Sequence, residues 1–115
     1  MESKKYTLRF RAVNRDIFEA IKSSKKKVET RAATVKYQNI KKGDVLVFVC
    51  DNKRFSRKVK QVKFFKGVGP MLKVFKIKDI MPDLDSRTDL ERAYYSYPGY
   101  KEKINKFGLV VLGVN

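Results

Sequence analysis

Residues 18–31, FEAIKSSKKKVETR, join an amphipathic helix to a short strand through a basic turn. Apolar residues recur on one side of residues 15–23, which predicts a short helix with one buried face. Residues 28–31 predict a strand, and alternate side chains of a strand share a face, so Glu29 and Arg31 point the same way. The stretch therefore predicts a helix–turn–strand unit that brings several charged side chains together.

The remaining sequence contains no repeat and no Pro/Gly/Ser-rich linker that would divide it. Apolar patterning predicts strands at residues 6–12, 44–50, 55–65 and 109–114, and helices at residues 71–80, 87–95 and 100–106. Within residues 55–65, Val59 and Val62 lie three apart, and this phase shift predicts a β-bulge near Gln61. The order of elements favours one α+β domain over residues 1–115, a small mixed β-barrel with short flanking helices.

Positive charge dominates the composition, because 28 Lys and Arg residues stand against 12 Asp and Glu, a net charge of +16. Residues 1–66 carry +14 of this charge and residues 67–115 only +2. An excess confined to one part of the chain is typical of a surface that meets a polyanion, although general solubility is the alternative. Nucleic acid is favoured over a membrane because no long amphipathic helix carries the basic residues.

The chain has no histidine and one cysteine, and these counts exclude several classes of site. Nucleophile systems that need histidine are excluded, and one cysteine with scattered carboxylates predicts no metal site and no cofactor. Cys50 ends an apolar run, so we expect a buried, unreactive thiol. No apolar run is long enough for a membrane span or resembles a secretory signal, so we expect a cytoplasmic protein.

The stretch quoted above resembles the signature of the ASCH domain family, a helix followed by G-x-K-x-x-E-x-R. Lys26, Glu29 and Arg31 fall on the three charged positions, and Ser24 stands where the family usually has glycine. Further similarity lies in three segments: residues 40–44, 81–82 and 95–111. The resemblance covers roughly residues 10–114 and implies a β-barrel module related to the PUA RNA-binding fold, with a cleft at this motif.

The cluster of Lys26, Glu29 and Arg31 has two interpretations. As structure, it is an ion-pair network that ties the end of the helix to the barrel. As a binding site, it is a pocket floor where the two cations meet phosphate or a base edge and the carboxylate accepts from an exocyclic amine. Further basic residues are candidates for a phosphate track, with a solvated surface as the alternative: Arg9, Arg11, Lys25, Lys27, Arg57, Lys58, Lys60 and Lys63.

Aromatic residues offer candidates for base stacking, because RNA-binding proteins stack unpaired bases on aromatic rings. Tyr37, Phe64 and Phe65 are the candidates, with packing in the core or at its rim as the alternative. Four tyrosines between residues 94 and 100 lie around Pro98. We interpret those four as packing of the closing helices.

The function favoured by these patterns is a monomeric module that binds RNA or single-stranded nucleic acid, or a nucleotide-like ligand, without a membrane or a metal. Its binding would be mainly to phosphates and would weaken steeply with salt. A structural, ribosome-associated protein is an alternative, although the chain lacks the extended basic tail that such proteins often carry.

The resemblance implies a further alternative, since some small ASCH proteins are amidohydrolases that remove the acetyl group of N4-acetylcytidine, and others are ribonucleases. In the amidohydrolase pattern a lysine at the position of Lys26 is the base and a threonine at the position of Glu29 is the nucleophile. This sequence has glutamate there, and Thr30 is predicted on the opposite face of the strand. Asp83 or Asp85 would supply the carboxylate of that pattern. Within the motif, the candidates for catalysis are Lys26 and Glu29.

Overall fold

The computed structural model describes residues 3–115, so Met1 and Glu2 of the predicted domain lie outside the described residues. Six strands and six short helices follow one another along that range, with one 3-10 turn at Ala12–Asn14. The strands are β1 (Lys5–Phe10), β2 (Val28–Ala32), β3 (Val45–Cys50), β4 (Lys53–Lys58), β5 (Gln61–Phe65) and β6 (Leu109–Gly113). The helices are α1 (Arg15–Lys22), α2 (Val35–Gln38), α3 (Val68–Leu72), α4 (Ile77–Ile80), α5 (Arg87–Tyr95) and α6 (Tyr100–Phe107).

The strands pair as two three-stranded sheets. The first has the order β1-β3-β4, with β1 parallel and β4 antiparallel to β3. The second has the order β2-β6-β5 and is antiparallel throughout. The α+β class predicted from the sequence is therefore confirmed, while the strand ladders found in residues 3–115 are these two sheets rather than one closed barrel.

The strand predicted over residues 55–65 is two strands that belong to different sheets. The N–H of Val59 donates to the carbonyl just before β3, and the N–H of Lys60 donates to the last carbonyl of β6, each at 2.8 Å. The chain therefore leaves one sheet and enters the other between these two residues. The three-residue spacing of Val59 and Val62 reflects this change of sheet, rather than the bulge predicted near Gln61.

The helix predicted over residues 71–80 is also divided, into α3 and α4. Met71 and Ile80 are both fully buried. Nine residues span two and a half turns of an α-helix, so a continuous helix would point these two side chains in opposite directions. The interruption between α3 and α4 lets both side chains enter the core.

The core consists of two apolar clusters that share the central strand β6. Val110 and Leu112 belong to the cluster that packs against α1 and the first sheet, while Leu109 and Val111 belong to the cluster under the closing helices. Successive side chains of a strand point to opposite faces, so a strand covered on both faces is apolar throughout. This arrangement explains why all five residues of β6 are buried.

The other predicted helices are confirmed with shifts of one residue or less at their ends, in α1, α5 and α6. Helix α5 begins as the capping pattern predicts, because the Ser86 hydroxyl oxygen accepts from the backbone N–H of Asp89 at 3.1 Å. The short helix α2, which follows β2, was not predicted. It lies beside the charged cluster and contributes to the candidate site.

Candidate functional site

The motif residues lie where α1 turns into β2. Ser24 has a φ of 66°, in the left-handed region that glycine adopts most easily. This backbone geometry gives a physical reason for the glycine that the signature usually has at this position. The turn brings Lys26 back beneath the helix, and β2 then carries Glu29, Thr30 and Arg31.

The carboxylate of Glu29 is the centre of the charged cluster and is only 4% exposed. One of its oxygens accepts from the backbone N–H of Thr30 at 3.0 Å and lies 3.6 Å from the Lys26 ammonium. The other oxygen accepts from the Arg31 Nε and Nη2 atoms at 3.2 and 3.1 Å. The three charged side chains that the motif predicted together are therefore in direct contact.

Lys26 is fully buried and its ammonium donates to the backbone carbonyl of Ile80 in α4. Burial lowers the pKa of Lys26, because the charged form loses its hydration, and the nearby Glu29 carboxylate opposes this change. With no exposed surface, the ammonium has little access to a ligand in bulk solvent. It ties α4 to the carboxylate of Glu29 and holds that carboxylate in place.

Arg31 differs from Lys26 because part of its guanidinium remains accessible. Its side chain is 15% exposed and lies 4.8 Å above the Phe10 ring, while Nη1 donates to the Tyr37 hydroxyl at 3.4 Å. Burial is the largest single influence on the pKa of Arg31 and would lower it, but Glu29, Tyr37 and Tyr100 together outweigh burial and the pKa is raised. The guanidinium is a permanent cation held in one orientation.

A group of tyrosines packs beside β2. The Thr30 hydroxyl and the Tyr94 hydroxyl are hydrogen-bonded at 2.6 Å, and the Ala32 N–H donates to the Tyr100 hydroxyl at 3.5 Å. The Tyr97 and Tyr100 rings meet edge to face with centroids 5.2 Å apart. Burial raises the pKa of Tyr94 and Tyr100, and raises that of Tyr97 to about 12. All three phenols therefore stay protonated at neutral pH.

These side chains surround a cavity of about 150 Å³, here called the β2 cavity. Drug-sized ligands occupy pockets of about 300–1,000 Å³, so this space is suited to a small flat group. It is lined by Arg9, Phe10, Arg11, Asn14, Ile17, Glu29, Thr30, Arg31, Met81, Tyr94, Tyr97, Pro98 and Tyr100. A second cavity of about 250 Å³, which Lys26 and Asp83 help to line, shares four of these residues: Asn14, Ile17, Met81 and Tyr97.

The structure brings only some of the predicted basic residues to this cavity. Arg9 and Arg11 are exposed and line it together with Arg31. The others lie outside its lining: Lys25, Lys27, Arg57, Lys58, Lys60 and Lys63.

Arg57 is engaged within the fold. Its guanidinium donates to the Lys22 carbonyl at 2.9 Å and to the side-chain oxygen of Asn115 at 3.2 Å. It also lies 4.7 Å from the centre of the Phe55 ring. Through these contacts, Arg57 joins the end of α1 to Asn115.

The prediction that tyrosines pack the closing helices is confirmed for Tyr94, Tyr97 and Tyr100, which belong to the core cluster there. The sequence did not indicate that the same three residues also form one side of the β2 cavity, here called the tyrosine wall. Four of the six tyrosines of the chain fall within seven residues, a concentration that could have indicated a shared surface. Of the three predicted stacking residues, Tyr37 contacts Arg31, while Phe65 packs on Phe75 in the core. Phe64 lies outside the β2 cavity, on a surface beside β5.

Two further observations bear on the classes of site. Among residues 3–115, no three His, Cys, Asp or Glu side chains come close enough together to hold a metal ion. None of the helices described there is long and apolar enough to cross a membrane.

Comparison with known proteins agrees with the resemblance seen in the sequence. The family described as ASCH domain matches residues 12–115. The crystal structure of hypothetical protein PH0355 is similar with a TM-score of 0.84 and 25% identity, over 96% of this chain and 97% of that one. The solution NMR structure of protein PF0455 from Pyrococcus furiosus is similar with a TM-score of 0.76 and 24% identity, over 96% of each chain. No curated protein matches the chain.

Proposed function

This chain belongs to the ASCH domain family, a PUA-like family, and we propose that it is a module that binds RNA or single-stranded nucleic acid through the β2 cavity. The observation that carries the proposal is the pairing of Glu29 and Arg31 in the wall of a small cavity with aromatic sides. A fixed carboxylate beside a fixed guanidinium presents an acceptor and donors at set positions. Arg9 and Arg11 add exposed positive charge at the same cavity.

The hydrogen-bonding capacity that the charged pair keeps for a ligand lies mainly on Arg31. A carboxylate has about four acceptor sites; that of Glu29 receives three hydrogen bonds, from Thr30 and Arg31, and the Lys26 ammonium lies 3.6 Å from one of its oxygens. A guanidinium has five N–H donors, and three of those on Arg31 are used, by Glu29 and Tyr37. A base edge with a carbonyl or ring nitrogen would accept from the two unused donors of Arg31, and an exocyclic amine beside it, as in cytosine and adenine, would approach the Glu29 carboxylate.

The walls and rim of the cavity support the same ligand class. The rings of Tyr97 and Tyr100 offer apolar faces for a base, and a space this small admits one unpaired base rather than a helix. Arg9 and Arg11 are placed to meet the flanking phosphates, which supply most of the affinity in nucleic-acid binding. We therefore expect contacts to phosphates together with limited reading of one base.

The salt dependence of binding tests this proposal. Anisotropy of a labelled single-stranded RNA of about ten nucleotides, titrated at several salt concentrations, should show affinity that falls steeply with salt. The double variant Arg9→Ala/Arg11→Ala should reduce the slope of log K against log salt by about 1.4, since each phosphate contact on a single strand contributes about 0.7. Lys73→Ala/Lys76→Ala removes the same charge at exposed positions outside the cavity and should leave the slope nearly unchanged.

A second variant tests the reading of the base. Glu29→Gln keeps the shape of the side chain but removes its charge, so it should abolish any preference among homopolymeric RNAs while salt sensitivity remains. Thermal unfolding of the same variant checks that the fold persists. Absence of salt-sensitive binding in the unmodified protein, or equal losses from the Arg9/Arg11 and Lys73/Lys76 variants, would contradict the proposal.

A hydrolase that acts on a modified nucleoside is the second candidate, because Thr30, which carries a hydroxyl, lines the same cavity as Glu29. Its hydrogen-bond partner, the Tyr94 phenol, has a raised pKa and is a poor base at neutral pH. Among the described residues, Glu29 contributes the only carboxylate to the cavity lining, since Asp83 lines the second cavity and Asp85 pairs with Lys78 at 2.6 Å. Binding without chemistry is therefore the better supported function.

Incubation with N4-acetylcytidine, followed by chromatography for cytidine, separates the two candidates. We expect no turnover above that of a Lys26→Ala control. Release of cytidine by the unmodified protein and its loss in the Lys26→Ala and Thr30→Val variants would establish the hydrolase instead.

A further inference from the structure

A second surface of the molecule combines an aromatic ring with lysines, and it lies away from the β2 cavity. It is a shallow groove beside β5, here called the β5 groove, lined by Gln38, Ile40, Lys41, Lys42, Lys60, Gln61, Val62 and Phe64. Of the residues that the structure describes, none lines both the groove and the β2 cavity. The groove is therefore a separate surface with its own chemistry.

Phe64 gives this groove an accessible aromatic ring. It is 51% exposed, although Phe65 beside it packs against Phe75 in the core. Among the described strands, β5 pairs with β6 alone, so it forms the edge of its sheet. Alternation along the strand places Phe64 on the same face as Val62, whose partly buried side chain packs against the first core cluster. The ring thus extends an apolar surface into solvent.

The charge around the ring is of one sign. Lys41, Lys42 and Lys60 are exposed, and none of the acidic residues between 3 and 115 lines the groove. Within the described range 3–115, no carboxylate forms an ion pair with any of these three lysines. The carboxylate nearest to them in sequence, Asp44, is buried and accepts from the backbone N–H groups of Lys4 and Lys41 at 3.0 and 2.8 Å. In the part of the chain that the structure describes, no ion pair neutralises these lysines, so the groove is positive.

We propose that the β5 groove is a second binding site for single-stranded nucleic acid, in which one base stacks on Phe64 and the adjoining phosphates contact Lys41, Lys42 and Lys60. Proteins that hold single strands combine a positive groove with aromatic rings in this way, because every base has a face that can stack. The inference rests on the proposed function in one respect, since it assigns the same class of polymer to both sites.

The position of α2 supports a path between the two sites. Tyr37, in that helix, contacts Arg31 of the β2 cavity, and the next residue, Gln38, lines the β5 groove. A strand that places one base in the cavity would therefore cross α2 to reach the groove. The groove would extend the footprint and add affinity without adding base preference.

Two other occupants are less compatible with these observations. A second copy of the chain could pair with the exposed edge of β5, but two molecules of net charge +16 repel each other. An acidic polypeptide would satisfy the lysines but would not supply the regular flat rings that Phe64 can stack. The charge and the aromatic ring together favour a nucleic acid.

The test uses the full chain and a labelled single-stranded RNA of about ten nucleotides. Phe64→Leu keeps an apolar side chain but removes the ring and should weaken binding by about tenfold, whereas Phe64→Tyr should bind as the unmodified protein does. The triple variant Lys41→Ala/Lys42→Ala/Lys60→Ala should reduce the slope of log K against log salt by about 2. Val74→Leu, at another exposed apolar position outside both sites, serves as the control for Phe64.

The outcomes separate this inference from the proposed function. If Arg9→Ala/Arg11→Ala weakens binding but the Phe64 and lysine variants do not, the groove is not a site and the cavity remains one. If the groove variants weaken binding and the arginine variants do not, the groove is a site and the cavity proposal fails. If polyglutamate binds with the same dependence on Phe64 and displaces the RNA, the partner is an acidic polypeptide and the inference is overturned.

Discussion

The β2 cavity and the β5 groove both place positive charge beside aromatic rings, yet they are built in opposite ways. In the cavity, the carboxylate of Glu29 is 4% exposed and fixed by hydrogen bonds, and Arg31 is held between it and Tyr37. In the groove, Phe64 is 51% exposed and the lysines have no ion-pair partners among residues 3–115. Fixed, desolvated charges favour discrimination between ligands, while mobile, hydrated charges favour affinity that salt can screen.

The largest difference between the two regions should appear in stability. Glu29→Ala leaves the buried Lys26 and Arg31 without their counter-charge, and the free energy of unfolding should fall by about 3–5 kcal/mol, as for other broken buried pairs. Urea denaturation measures this change. The groove variant Lys41→Ala/Lys42→Ala/Lys60→Ala changes exposed positions. Each of its three substitutions should change the free energy of unfolding by no more than about 0.5 kcal/mol. A loss below about 1 kcal/mol for Glu29→Ala would mean that the cavity charges are hydrated after all.

A smaller effect should follow from the tyrosine wall. Tyr94→Phe leaves the buried Thr30 hydroxyl without its partner and should cost about 1–3 kcal/mol in the free energy of unfolding. Adding Thr30→Val removes the orphaned hydroxyl, so the double variant should lose less than the sum of the two single variants. Tyr95→Phe is the matched control, because Tyr95 is exposed on the same helix. Additive losses in this cycle would show that the hydrogen bond contributes little.

The smallest effect should depend on pH. Burial raises the pKa of Tyr97 to about 12, and the negative Glu29 and Asp16 add to this shift while Arg31 opposes it. Above pH 10 the unfolded chain loses this proton while the folded chain keeps it, so the contribution of Tyr97 to stability is complete below pH 10 and is lost as the pH rises towards 12.

The free energy of unfolding of the unmodified protein should therefore fall more steeply between pH 10 and 12 than that of Tyr97→Phe. The lowered pKa of Lys26 acts in the opposite direction, but it is common to both proteins and cancels in the difference. Denaturation curves recorded across this range measure the two slopes. Parallel slopes would show that the Tyr97 phenol is hydrated in the folded protein.

Local patterns predicted the parts of the site that are close in sequence. The alternation of side chains along β2 places Glu29 and Arg31 together, and the turn before it returns Lys26 to the same carboxylate. Local patterns did not predict the partners of Arg57 within the fold. Its positive charge predicted a phosphate contact, but its guanidinium bonds to the backbone of Lys22 and to Asn115, and nothing adjacent to Arg57 in the sequence indicates those partners.

The sequence by itself determined the family, the α+β class, the excess of positive charge in residues 1–66 and the contact between the three motif residues. The class, the charge excess and the contact follow from composition and from periods of two and 3.6 residues, which depend on neighbours along the chain. The family follows from the resemblance of residues 18–31 to its signature. Only the tertiary structure decided that Lys26 is buried and bonded to Ile80, that tyrosines between 94 and 100 line the cavity, and that Phe64 is exposed to solvent. Each of these depends on which elements pack together, and burial is a property of the whole fold rather than of any local stretch.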